Sequence, residues 1–340
     1  MLKGGVQVLV EGDRDGNNMA FRLRLPSGRQ IYGFGTENIY GTDWDLGPTW
    51  NYLVEGGERF LVDTGRFGAG GHLLDLLRSA SGLAPRDVGA VVLTHGHEDH
   101  DGGLYEVVQA SGAKVFAHPL YAHLVRRHPG RAPAGTPDHF PASCWHCPMP
   151  ASFSKRHCEG YHRERETLCF EPLPDGGDVF GGEVTVHALP GHSPDAVVLL
   201  VGTEAILVGD TLLPGITPHP SQELTYSLTG SILPSRSGQT QQIYGLRAYI
   251  RSLKKLVALA GQYPEILVLP GHRLYWHGEW NVLALSDRAN QTLEHHVQRC
   301  AVILSCLSDG PKAAEEIAGE CFEAPVCSGV SGSIWREMKS

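Results

Sequence analysis

Apolar positions along the chain come in two kinds of stretch, and the two alternate. Short runs rich in Val, Leu and Phe ("VQVLVEG", "NYLVEGGERFLVDTG", "AVVLTHG", "AKVFAHP") have the length and content of strands. Between them, "GHLLDLLRSA" carries Leu73, Leu76, Leu77 and Ala80 on one helical face, and "GGLYEVVQASG" carries Leu104, Val107 and Val108. Strand and helix in alternation predict an α/β layered architecture. The pattern then recurs: "EVTVHALPG", "AVVLLVG" and "AILVGDTL" are followed by a helix with Leu246, Tyr249, Leu253, Leu256 and Ala260, and by the strand "EILVLPG". No tandem repeat relates the halves, but two similar halves packed sheet to sheet, with helices outside, fit the pattern.

From about residue 285 the strand pattern stops. A helix with Leu293, Val297, Cys300, Ala301, Leu304 and Leu307 on one stripe is predicted, ended by "DGP", where Gly310 suits a C-terminal cap and Pro311 the start of another helix. Ala314, Ile317 and Cys321 continue an apolar face there. Cys300 and Cys321 are thus expected to be buried as small hydrophobes. The organisation expected is a catalytic domain over residues 1–285, interrupted by a Cys- and His-rich insertion at about 119–178, and a C-terminal helical region over 286–340.

The 340 residues suffice for a large core, and 41% hydrophobic with 19% charged residues is ordinary for a globular enzyme. A formal charge of −9 argues against a nucleic-acid partner, since phosphate binding normally shows as a basic excess. No run reaches the roughly 18 apolar residues of a membrane helix, and the start lacks a secretory signal. A cytoplasmic protein with a small-molecule substrate and no membrane partner is expected. In that reducing compartment the eight cysteines would be thiols or metal ligands rather than disulfides.

"VVLTHGHEDHDGG" crowds His95, His97, Asp99, His100 and Asp101 directly after an apolar run. A turn needs one or two polar side chains; this density suits a metal site, with imidazole and carboxylate donors appropriate to Zn or another first-row ion. One ion cannot easily take all four of His95, His97, Asp99 and His100 from so tight a loop, whereas two can share them. Further donors should also lie at strand ends, and His192 in "ALPGHSPD", Asp210 in "AILVGDTL" and His272 in "EILVLPGH" do.

Together with the upstream "FLVDTG", these motifs resemble the metallo-beta-lactamase fold superfamily, especially its glyoxalase II-like hydrolases, over roughly residues 30–280. The resemblance implies an αβ/βα four-layer sandwich with a small C-terminal helical appendage and two divalent metal ions, Zn before Fe or Mn. It further implies that His95, His97 and His192 bind the first ion, that Asp99, His100 and His272 bind the second, and that Asp210 bridges both. Asp63 and Thr94 would support the histidine loops by hydrogen bonds.

The chemistry implied is hydrolysis by a metal-bridging hydroxide, with Asp99 as the catalytic carboxylate, orienting the nucleophile and able to take up a proton. A carboxylic ester, thioester or lactone is the expected substrate; a phosphodiesterase of the same fold and an iron-dependent sulfur dioxygenase are the alternatives. Either Trp44 or Trp50 could line the pocket or pack in the core. His118 and His219 are read as turn residues or neighbours of the site, without a catalytic assignment. Within the insertion, Cys144, Cys147, Cys158 and Cys169 could hold a third, structural Zn that staples an otherwise polar segment. The tail resembles helical caps that border a cleft or join two subunits, so a homodimer is among the arrangements open to it.

Overall fold

The computed structural model describes residues 5–38, 46–126, 156–221, 233 and 240–321. The first sheet runs in chain order: β1 (Gln7–Val10), β2 (Ala20–Arg24), β3 (Gln30–Thr36), β4 (Thr49–Val54), β5 (Phe60–Val62), β6 (Ala90–Val92), β7 (Lys114–Ala117) and β8 (Phe170–Pro172). Its members pair antiparallel up to β5 and parallel from β5 to β8. The second sheet is built from β9 (Asp178–Val179), β10 (Val184–Ala188), β11 (Val197–Val201), β12 (Ala205–Gly209) and β13 (Leu267–Pro270), and only its β12–β13 pair is parallel. Sequence reading named no strand at β2 or β3; "QIYGFGT" in β3 sets glycines where an alternating strand would show side chains.

Side-chain alternation makes the layers. In β4 and β5, Tyr52, Val54, Phe60 and Val62 face the core between the sheets, while Leu53 and Leu61 point to the other face. There they meet Leu73 and Leu77 of α1 (Gly70–Ser81), together with Leu104 and Val107 of a later helix, Leu104–Ser111. The second sheet repeats the arrangement. Val197, Leu199 and Val201 of β11 enter the same central core, and Val198 and Leu200 pack against Tyr249, Leu253 and Leu256 of the helix Gly245–Gln262. Helix, sheet, sheet, helix is the four-layer αβ/βα sandwich expected.

Trp50 is fully buried between the sheets, 5.3 Å from the Phe21 ring, so it packs the core and does not line a pocket. Trp44 lies outside the described residues. Within 119–178 the chain returns to the first sheet, since β8 pairs in parallel with β7.

The C-terminal helix Leu285–Cys306 corrects one expectation. Its buried positions are Leu285, Ala289, Thr292 and His296, and Leu285 and Ala289 join the core of the second half. Much of the stripe read from sequence faces outward: Val297 is 64% and Leu304 68% exposed and Cys300 is exposed, whereas Leu293 packs against that core and Leu307 is half-buried. Only the first three turns rest on the sandwich; beyond them the helix packs against a second helix, Ala314–Cys321. Cys321, at the end of the helix Ala314–Cys321, is half-buried, with its sulfur 2.8 Å from that of Cys306.

Tight backbone crossings shape the loop after β6. A Cβ on Gly102 would lie 1.9 Å from Phe67 N and 2.3 Å from Glu98 O, and one on Gly103 2.4 Å from Thr64 O. Backbone atoms cannot swing aside as a side-chain tip can. Gly102→Ala is therefore expected to cost about 3 kcal/mol or more, measured as the drop in unfolding free energy by urea titration.

Candidate metal centre

All the predicted donors come to one edge of the sandwich. β6 ends into Thr94 and His95, and the short helix α2 (Glu98–Asp101) follows at once. The second sheet sends His192 from the loop after β10, Asp210 from the end of β12 and His272 from beyond β13. The two sheets are stitched together at this edge. The Trp50 main-chain N–H donates to Gly271 O (2.7 Å), Tyr52 Oη to Pro270 O (2.6 Å) and Val197 N–H to Thr94 O (2.8 Å).

The donors fall into three overlapping groups, in each of which the candidate atoms lie within 4.8 Å of one another: His95, His97 and His192; His95, His100 and Asp210; Asp99, His100 and His272. Asp210 reaches toward both ends of the cluster, 3.4 Å from His100 Nε2 and from His272 Nε2 and 3.6 Å from His192 Nε2. Asp99 Oδ2 lies 3.2 Å from His272 Nε2.

Hydrogen bonds behind the imidazoles decide which nitrogen faces the cluster. Asp63 accepts from Thr94 N–H at 2.8 Å, from Thr94 Oγ1 at 2.7 Å and from His100 Nδ1 at 2.8 Å. Since Thr94 gives its only hydroxyl proton to Asp63, its oxygen must accept from His95 Nδ1, 3.0 Å away. His192 Nδ1 donates to the His219 carbonyl at 3.0 Å, and His272 Nδ1 to the Pro48 carbonyl at 3.1 Å. All four rings thus turn Nε2 inward. His97 presents Nδ1, 3.1 Å from His192 Nε2.

Sequence reading found Asp63 and Thr94 and named His219 as a possible neighbour of the site without a role, but it missed Pro48, Asn38 and the part His219 plays. Pro48 and His219 act through main-chain oxygens, which no side-chain pattern reports. Asn38, whose Nδ2 donates to Asp99 Oδ2 at 3.0 Å, comes from beyond β3, where no element was predicted.

The cluster is electrostatically divided. Burial opposes charge on His100 and His272, but Asp210 and Asp99, with Asp63 also acting on His100, outweigh it; His100 is raised well above the ordinary imidazole value and His272 to about 9. Burial, reinforced by neighbouring imidazoles, instead lowers His95, His192 and His97, the last to about 3. For Asp99 and Asp210 burial alone would favour protonation, but the adjacent His100 and His272 charges prevail and both stay ionised.

A metal fits these residues. The Nε2 atoms of His95, His100 and His272 and Oδ1 of Asp210 are buried with no hydrogen-bond partner. Leaving such atoms unpaired is costly, and a cation is the partner this donor set suits. Over residues 44–272, more than half its length, the chain matches the model of the metallo-beta-lactamase superfamily, and it belongs to that superfamily of metal-dependent hydrolases. Its His/Asp groups fit a dinuclear divalent-metal site.

Solved structures agree on the fold. A metallo-beta-lactamase family protein from Thermus thermophilus is 24% identical, with 86% of this chain and 87% of that one covered and a TM-score of 0.58. A beta-lactamase domain protein from Burkholderia ambifaria is 18% identical, with 86% and 80% covered and a TM-score of 0.56. A subclass B3 metallo-beta-lactamase from a soil metagenome library is 16% identical, with 86% and 99% covered and a TM-score of 0.51.

Of the cysteines expected to form a structural site, Cys158 is buried at the start of a helix, Cys169 is exposed, and Cys144 and Cys147 lie outside the described residues. Among the described residues no helix is long and apolar enough to cross a membrane. His118 is a turn residue: its Nδ1 accepts from Leu120 N–H at 3.1 Å.

Two outcomes follow from these hydrogen bonds. Asp63→Asn, which replaces the carboxylate serving both His95 and His100 by an amide, is expected to weaken metal affinity about 10- to 100-fold, read by competition with a chromogenic chelator. Burial, partly offset by Asp175, lowers His118 to about 4 from 6.5, so between those values the unfolded chain binds a proton that the folded chain does not. Stability should fall as pH drops from 6.5 to 4 and this contribution should level off below. His118→Asn keeps a turn acceptor and should give a shallower dependence of Tm on pH across that window.

Proposed function

We propose that the protein is a zinc-dependent, glyoxalase II-like hydrolase of carboxylic esters, thioesters or lactones. His95, His97 and His192 would hold one ion, Asp99, His100 and His272 the other, and Asp210 would serve both. Asp210 groups with His95 and His100, each of which also belongs to one of the other two groups, and this middle position supports that shared role. Divalent ions bound there would polarise the substrate oxygen and acidify water.

The exposure of Asp99 carries the reading. Its side chain is 17% exposed, against 7% for Asp210 and 2% for Asp63, so among the carboxylates of the cluster it is the one that water reaches most readily. Asn38 and His272 hold it in place. It can therefore accept a hydrogen bond from an attacking water and take up its proton. No Ser, Cys or Lys nucleophile is invoked, so no acyl-enzyme should form. The net charge of −9 supports a small substrate over a polyanion.

Elemental analysis of the purified, untagged protein tests the metal. About two zinc ions per chain are expected, and a third would report the cysteine cluster. Iron as the dominant metal would overturn the reading in favour of sulfur oxidation, to be followed by oxygen uptake with a persulfide. In chromogenic panels, thioesters or lactones should turn over and phosphodiesters should not. Asp99→Asn should lower kcat by about 10²- to 10⁴-fold.

A further inference from the structure

Asp101, which directly follows His100, is fully buried and takes no part in the metal-binding groups. Its carboxylate is saturated from the far side. Arg165 Nε donates to Oδ2 at 3.0 Å and Arg165 Nη2 to Oδ1 at 3.2 Å; Tyr121 Oη donates to Oδ2 at 2.6 Å and Tyr161 Oη to Oδ1 at 2.8 Å. Arg165 Nη2 also donates to the Asp101 main-chain oxygen, and Nη1 to the Tyr161 carbonyl at 2.7 Å. The guanidinium carbon lies 3.5 Å from the centre of the Tyr161 ring.

Arg165 and Tyr161 stand on the helix Cys158–Glu166, the return limb of the Cys- and His-rich insertion. That helix buries Cys158, Tyr161, His162 and Arg165. A buried ion pair is no more stabilising than well-packed apolar side chains of the same volume, because both charges lose their water. What it adds over an apolar contact is directional definition. Here the direction is applied to a helix of four residues, α2, that carries both Asp99 and His100.

We propose that Arg165 is a positioning residue for the second metal: by fixing Asp101 it sets Asp99 and His100, and the insertion thereby governs how tightly that ion is held. Two of the three donors in the Asp99, His100 and His272 group stand on α2. The donors of the other group, His95, His97 and His192, precede α2 or come from the second sheet. Loss of the clamp therefore acts unequally on the two ions. The inference rests on the dinuclear reading above.

The test is stepwise release of metal to a chelator from the full zinc-loaded chain, with Tm recorded alongside. Wild type should give up two ions, and Arg165→Met should release one of them about 10- to 100-fold more readily while the other keeps its wild-type behaviour. Tyr161→Phe, which removes one hydroxyl and keeps the ion pair, should shift the same ion by about 2- to 10-fold, and it carries the test if Arg165→Met does not fold. Release of both ions at wild-type rates, or an equal shift of both, overturns the positioning role alone. A wild-type chain that takes up no metal overturns the dinuclear reading and this inference with it.

Discussion

One carboxylate, Asp63, holds the metal-facing edge together. Standing at the end of β5 with a φ of 60°, it turns both oxygens toward the next strand's end. Through Thr94 it fixes the proton on His95, and directly it fixes the proton on His100. These two rings share one metal-capable group with Asp210, and each also belongs to a further group that the other does not, so a single buried acid orients rings across the whole cluster. A left-handed backbone at a non-glycine residue costs energy, and the three hydrogen bonds it accepts offset that cost.

The architecture delivers the other donors for a simple reason. Parallel pairing of β5, β6 and β7, and of β12 and β13, sends successive strand ends to the same side. The loops that follow then converge, and donors far apart in sequence meet without any long excursion. Cross-sheet hydrogen bonds from Trp50, Tyr52 and Val197 set the spacing between sheets where the donors need it. The central core of Phe21, Trp50, Phe60 and their neighbours keeps that spacing rigid.

The gathering of seven metal-capable residues at one edge was legible in the sequence because metal chemistry restricts residue type and strand ends restrict position. The four layers were legible because strands covered on both faces, as β11 is, read as unbroken apolar runs. The C-terminal stripe misled for the opposite reason: periodicity reveals a face but not whether anything covers it, and Val297 and Leu304 are bare. Arg165 was hidden in "CEGYHRERETLC", where it looks like one charge among many. Its burial depends on Asp101, Tyr121 and Tyr161 meeting in space, which spacing alone does not encode.

The imidazoles also differ in how exposed their orientation is to mutation. His95 and His100 owe theirs to side chains, so single substitutions at Asp63 or Thr94 can undo them. His192 and His272 are held by the main-chain oxygens of His219 and Pro48, which every amino acid supplies. Genetic drift at positions 48 and 219 can therefore rewrite the loops around the cleft while leaving both ring-anchoring carbonyls chemically available. The second sheet's side of the centre is built to tolerate divergence, and the first sheet's side is not.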